Sequence, residues 1–108
     1  MARMAYAVLL APTAATQLKA LRAKAFAEVR DAMERHLRHE PTKVSKSRIK
    51  RLRGLSQPQY RLRVGEIRVY YDVREAVVEV LAIVTKAQAA AWLKQKGVPS
   101  EEGGTSKG

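Results

Sequence analysis

The chain contains no cysteine. Disulfides, thiolate nucleophiles and cysteine-based metal sites are therefore excluded, and a cytoplasmic home is the expectation. Acid is scarce: ten Asp and Glu stand against twenty-one Lys and Arg, a formal charge of +11 over 108 residues. Such an imbalance attracts polyanions, and nucleic acid, an acidic protein or an anionic membrane surface would each satisfy it. Long apolar runs are missing too. None approaches the roughly 20 residues of a membrane span, and no membrane partner is expected. Met1 to Leu10 is apolar, but the run is short and Pro12 stops it, so it reads as a strand rather than a signal peptide. There is no Gly-rich phosphate loop and no Ser-centred elbow. His36 and His39 stand three apart without a carboxylate partner, a weak metal motif. Neither metal nor cofactor is expected.

What is present folds. Hydrophobic residues make up 46% of the chain and fall in periodic blocks, which argues against disorder. The length suits one domain, placed at residues 1–96, with the Gly- and Ser-rich stretch 97–108 read as a disordered tail. Ala5 to Leu10 reads as a first strand. Pro12 and Thr13 supply a helix start, and Ala14 to Ala23 follows as a helix. A second helix runs from Ala25 to Arg38, with Phe26, Val29, Met33 and Leu37 on one stripe. Pro41 closes that region. Lys43 to Arg53 holds six basic residues in eleven: Lys43, Lys46, Arg48, Lys50, Arg51 and Arg53. It reads as a linker or short strand.

The period then switches to two. Tyr60–Val64, Ile67–Val73 and Val77–Val84 are rich in aromatic and β-branched residues and read as a three-stranded antiparallel meander. Thr85 to Lys96 returns to helix, and Gly97 is its stop. The expected fold is α/β (α+β): an antiparallel sheet with an N-terminal strand, a two-helix hairpin, the meander and a C-terminal helix.

The first hairpin carries the chemistry. With Gly65 and Glu66 as a two-residue loop, Val64 pairs with Ile67, Arg63 with Arg68 and Arg61 with Tyr70. Alternation puts all four of Arg61, Arg63, Arg68 and Tyr70 on one face. Like charges across a strand pair are destabilising, so three arginines together call for a bound anion. Tyr70 is read as a stacking surface for a base. If Val73 pairs with Ala76, Glu79 falls opposite Tyr70, as a general base or, the favoured reading, an ion-pair partner for Arg61, since a carboxylate among arginines stays charged and is a weak base.

The run Leu52 to Val73, LRGLSQPQYRLRVGEIRVYYDV, resembles the RelE/ParE superfamily of toxins. The upstream stretch Tyr6 to Leu21 is similar to that family's first strand and helix, and the likeness covers about residues 5 to 94. The resemblance implies a toxin of a type II toxin–antitoxin system. Its RelE-type members are ribosome-dependent messenger-RNA endoribonucleases that need no metal and use attack by the 2′-hydroxyl. It implies catalytic roles for Arg61, Arg63 and Arg68, with Lys86 as the candidate for proton transfer. RNA contacts are expected from Tyr70 and from the basic run Lys43, Lys46, Arg48, Lys50, Arg51 and Arg53. The implied partners are a cognate acidic antitoxin, the ribosome and messenger RNA. The chain departs from the RelE pattern: arginine is a poor general base, and Ala87 stands where that pattern has an arginine. A ParE-like inhibitor of DNA gyrase and a non-catalytic RNA-binding module are the alternatives.

Overall fold

The computed structural model describes residues 5–100. Strand β1 (Ala7–Leu10) leads into helix α1 (Pro12–Lys19), whose first turn carries the proline. Pro is tolerated there because its missing N–H would have had no helical partner. Helix α2 (Ala23–Ala32) continues directly into a π-helical turn, Met33–Leu37. Strands β2 (Ile49–Arg51), β3 (Leu55–Gln57), β4 (Tyr60–Val64), β5 (Ile67–Arg74) and β6 (Val77–Thr85) follow. Helix α3 (Lys86–Lys96) and the two-residue strand β7 (Val98–Pro99) complete the described chain.

The main sheet runs β1-β6-β5-β4-β2. The meander expected at residues 60–84 is its centre. The N-terminal strand does not extend the antiparallel pattern: β1 pairs with β6 in parallel, Ala7 to Val77 through Leu10 to Val80. The helical hairpin carries the chain across one face of the sheet to β2 at the opposite edge. That face buries Ala14 and Leu18 of α1 and Val29, Met33 and Leu37 of α2 with its π turn. They pack on Leu62, Val69, Tyr71, Val78, Val80 and Ile83. Each Val, Leu, Ile or Met side chain among them contributes about 1.5–3 kcal/mol when fully buried. Tyr71 is buried among them and donates its hydroxyl to the Pro41 carbonyl at 2.6 Å. Burial, with Tyr60 beside it, pushes the Tyr71 phenol far above its usual range.

Two features correct the sequence expectations. The second hairpin turns at Glu75-Ala76, with Arg74 paired to Val77, and Glu75 adopts a φ of 52°. A bulge then interrupts β6 between Val80 and Ala82, where the register against Tyr71 and Tyr70 shifts. The later turn puts Glu79 opposite Asp72, not Tyr70, and Glu79 pairs with Arg74 at 2.9 Å rather than with Arg61; the bulge lies beyond Glu79 and shifts only the pairing from Tyr70 onward. The tail does not begin at residue 97. Val98–Pro99 pair with Leu55–Gln57, and the Ser100 N–H bonds the Gly54 carbonyl at 2.9 Å. The rest of the expected tail lies outside the described residues. Gly97 is needed for close approach: a Cβ there would stand 2.5 Å from the Leu93 carbonyl oxygen.

Candidate functional site: a basic sheet face

The hairpin register predicted from the two-residue loop is the one observed. Val64 pairs with Ile67, Arg63 with Arg68 and Arg61 with Tyr70. On the other side of β4, Lys50 of β2 pairs with Arg61. Cross-strand partners share a face, so Lys50, Arg61, Arg63, Arg68 and Tyr70 lie together on the side away from α1 and α2.

The cations differ in setting. Lys50 and Arg63 are exposed, Arg61 is half-buried, and Arg68 is 6% exposed. Arg68 donates Nη1 to the Gly65 and Ile67 carbonyls at 2.8 and 3.0 Å, which fixes it to the β4–β5 turn. Arg61 has a buried Nε with no hydrogen-bond partner among the described residues. Desolvation first, then repulsion from Arg68 and Arg63, draws its guanidinium below the usual arginine range. None of the four ion pairs among the described residues involves any of these cations. A partly desolvated guanidinium without a counter-ion costs stability and presents a donor fork to an anion.

The face is not open throughout. Helix α3 lies over its other half and buries Tyr70, Ala82 and Val84 with Leu52, Trp92 and Leu93. Tyr70 is 2% exposed and stacks on Trp92, with centroids 5.2 Å apart and planes within 7°. Its expected role as a platform for a base is therefore closed off in this conformation, because Trp92 occupies that position. Burial is the main reason its phenol is shifted up. The sequence carries the signal for this cover. Val77–Val84 is nearly continuous in apolar residues, as in a strand buried on both faces.

The basic run of residues 43–53 divides. Only Lys50 joins the arginine row. Arg51 points to the other face, where its guanidinium lies 5.2 Å from the Tyr60 ring centroid and bonds the Gln59 carbonyl at 2.9 Å. Arg48 lines clefts beside His36, and Lys43 lies 3.9 Å from Glu40. Lys46 and Arg53 are exposed. Lys86 is exposed at the head of α3, and its N–H bonds the Glu66 carbonyl at 2.7 Å in the β4–β5 loop. A capping box holds that helix start: Thr85 Oγ1 accepts from the Gln88 N–H, and Gln88 Oε1 accepts from the Thr85 N–H. The spacing Thr85-Lys86-Ala87-Gln88 is its sequence signature.

The far end of β5 is held by a buried carboxylate. Asp72 is 3% exposed and accepts from Gln57 Nε2 at 2.7 Å and the Gln59 N–H at 2.8 Å. It anchors the β3–β4 connection that brings β4 into register. Among the described residues no cluster of His, Cys, Asp and Glu has the makings of a metal site. No helix among them is long and apolar enough to cross a membrane.

Comparison with known proteins places this architecture. The fold is similar to that of an archaeal RelE–RelB complex from Pyrococcus horikoshii OT3, with a TM-score of 0.65 and 24% identity. That match covers 79% of this chain and 99% of the other. It is also similar to a RelB–RelE antitoxin–toxin complex from Methanococcus jannaschii, at a TM-score of 0.62 and 19% identity, covering 78% and 96%. No curated protein matches the sequence. A family model described as "ParE toxin of type II toxin-antitoxin system, parDE" matches residues 8–90, from β1 into α3. The chain belongs to this family, and is a type II toxin of the RelE/ParE superfamily.

Proposed function

We propose that this toxin acts on RNA, holding a phosphodiester of messenger RNA on the ribosome against Lys50, Arg61 and Arg63 and promoting its cleavage. The observation that supports this reading is the row of cations without a carboxylate, with the Arg61 Nε left unpartnered. In the reaction the 2′-oxygen forms a bond to phosphorus and the bond to the 5′-oxygen breaks. Negative charge grows on the phosphoryl oxygens between the two events. Fixed guanidinium donors aimed at that charge lower the barrier, and loss of one such donor typically costs about a hundredfold or more in rate. Arg68 orients the turn that carries Arg63's partner strand and adds to the field. The 2′-hydroxyl proton passes to water. Lys86, at the head of α3, is the candidate donor to the leaving oxygen. An acidic cognate antitoxin fits the +11 charge and holds the toxin inactive.

A second reading, inhibition of DNA gyrase, is favoured by one observation. The basic face holds three arginines, a lysine and a buried tyrosine, and so has no group that readily accepts a proton at neutral pH. Induced expression with and without the neighbouring gene separates the two. RNA cleavage predicts new messenger-RNA 5′ ends within translated codons and unimpaired supercoiling by purified gyrase. Gyrase inhibition predicts the reverse.

A further inference from the structure

A concave surface outside the arginine row lies between the head of α1 and the C-terminal half of α3. It is a cleft of about 230 Å³ lined by Thr13, Gln57, Leu81, Trp92 and Lys96. The bulge in β6 supplies Leu81. Tyr71 pairs with Val80 and Tyr70 with Ala82, so Leu81 is the extra residue, and it belongs to neither apolar core. Bulges re-aim a side chain in this way. Trp92 and Lys96 stand four apart on α3 and so share a side of the helix. The Gln57 amide is fixed in orientation. The buried Asp72 carboxylate accepts, so the group 2.7 Å from it is the Gln57 Nε2 donor. Gln57 Oε1 is left with no hydrogen bond from the described residues.

These residues differ in what they offer a ligand. Trp92 and Leu81 give ring and apolar surface, Gln57 Oε1 an acceptor, the Thr13 hydroxyl a donor and an acceptor, and Lys96 a cation. Among the described residues no Asp or Glu lines the cleft, and Lys96 takes part in no ion pair. The Asp72 carboxylate behind Gln57 is already met by the Gln57 and Gln59 N–H groups. Pockets for drug-sized molecules run to about 300–1,000 Å³, so this smaller one suits a single planar heterocycle. Its position is equally telling. Trp92 stacks flat on Tyr70, and Tyr70 is the cross-strand partner of Arg61. Two stacked rings therefore join the cleft to the arginine row.

We propose that this cleft is a nucleobase subsite. One base of the RNA strand packs on Trp92 and Leu81, an N–H of its edge donates to Gln57 Oε1, and Lys96 takes the adjoining phosphate. The inference rests on the reading that the arginine row holds RNA. It adds a place where the strand is gripped by a base as well as by its backbone. Stacking on an aromatic ring accepts every base, while the acceptor held by Asp72 sets how the base lies.

Trp92 is the only tryptophan of the chain, so its fluorescence reports on the cleft. The full chain is titrated with a nucleoside monophosphate, with ribose 5-phosphate and with a single-stranded RNA oligonucleotide. The nucleotide and the oligonucleotide quench Trp92 to saturation, and ribose 5-phosphate does not. Thr13→Phe, at an exposed position, fills the cleft and keeps the wild-type melting temperature. It weakens the oligonucleotide about tenfold, the loss of one stacked base, while an abasic oligonucleotide of the same length binds both proteins alike. Oligonucleotide binding that leaves Trp92 emission unchanged, or that is equal in the wild type and a stably folded Thr13→Phe protein, overturns the subsite and leaves the RNA reading standing. Saturable quenching by the nucleotide without any binding of the oligonucleotide supports the subsite, for a free nucleotide, and overturns the RNA reading. Absence of both overturns both.

Discussion

Replacing Arg61 by methionine should make the protein more stable and less able to bind RNA. The substitution keeps an unbranched stem of similar length and removes the guanidinium. In the folded protein that guanidinium lies across from Lys50, beside Arg63 and Arg68, with a buried Nε that no described residue satisfies. Relief of like-charge contacts across strands contributes a few tenths of a kcal/mol, up to about 1. Removal of an unsatisfied donor contributes about 1–3 kcal/mol when burial is complete, and less here because Arg61 is half-exposed. A net gain of about 1 kcal/mol corresponds to a melting temperature higher by about 4–8 °C for a domain of this size. Affinity for a single-stranded RNA moves the other way. One lost phosphate contact reduces the log–log salt slope by about 0.7. Thermal melts and salt-titrated binding on one preparation measure both. A melting temperature that falls while the slope stays the same would refute the argument that Arg61 is kept for an anion at the expense of the fold.

Other outcomes follow from the packing. Trp92→Ala uncovers Tyr70 and removes the main contact of α3; denaturant unfolding should show a loss of about 2 kcal/mol, below the 3–5 typical of a fully buried tryptophan because Trp92 is only half-buried. Arg68→Ala removes two bonds to the Gly65 and Ile67 carbonyls and should cost about 1 kcal/mol in the same assay, offset in part by lost repulsion from Arg63. The His36 pKa is lowered by burial and by Arg48 and Arg35, against Glu40, so the unfolded chain binds the proton more readily than the folded one. Stability should therefore fall as pH drops through about 6.5, and His36→Gln should flatten that decline in melting curves taken between pH 7 and pH 5.

Much of the fold was legible in residues that leave few choices. The two-residue loop Gly65-Glu66, with Gly65 at a φ of 58°, set the β4–β5 register, and the register carried the arginine row. The helix stripe Val29, Met33, Leu37 set the core face. The β5–β6 register departs from the expected one at two places. The turn sits one residue later, with Glu75 in a left-handed conformation that glutamate seldom adopts, and β6 carries a bulge. Neither has a local sequence signature; the later turn moved Glu79 opposite Asp72, and the bulge changed the pairing from Tyr70 onward. The cover over Tyr70 departs from expectation for a different reason. The bulge brings Ala82 and Val84 onto the face of Tyr70 and Arg68, where they pack beneath Trp92 and Leu93 from a helix whose own sequence has no clear apolar stripe. The parallel pairing of β1 depends on where the helical hairpin returns the chain, which strand periodicity does not encode.

The cation row on β2 and β4 is proposed to act on RNA. Messenger-RNA 5′ ends, mapped after brief induction of the wild type and of the Arg61→Met, Arg63→Met double variant, test it most directly. New 5′ ends within translated codons are expected for the wild type, and their loss is expected in a double variant that melts no lower than the wild type. Growth arrest by the wild type without new 5′ ends, or the same ends produced by the stably folded double variant, would contradict it.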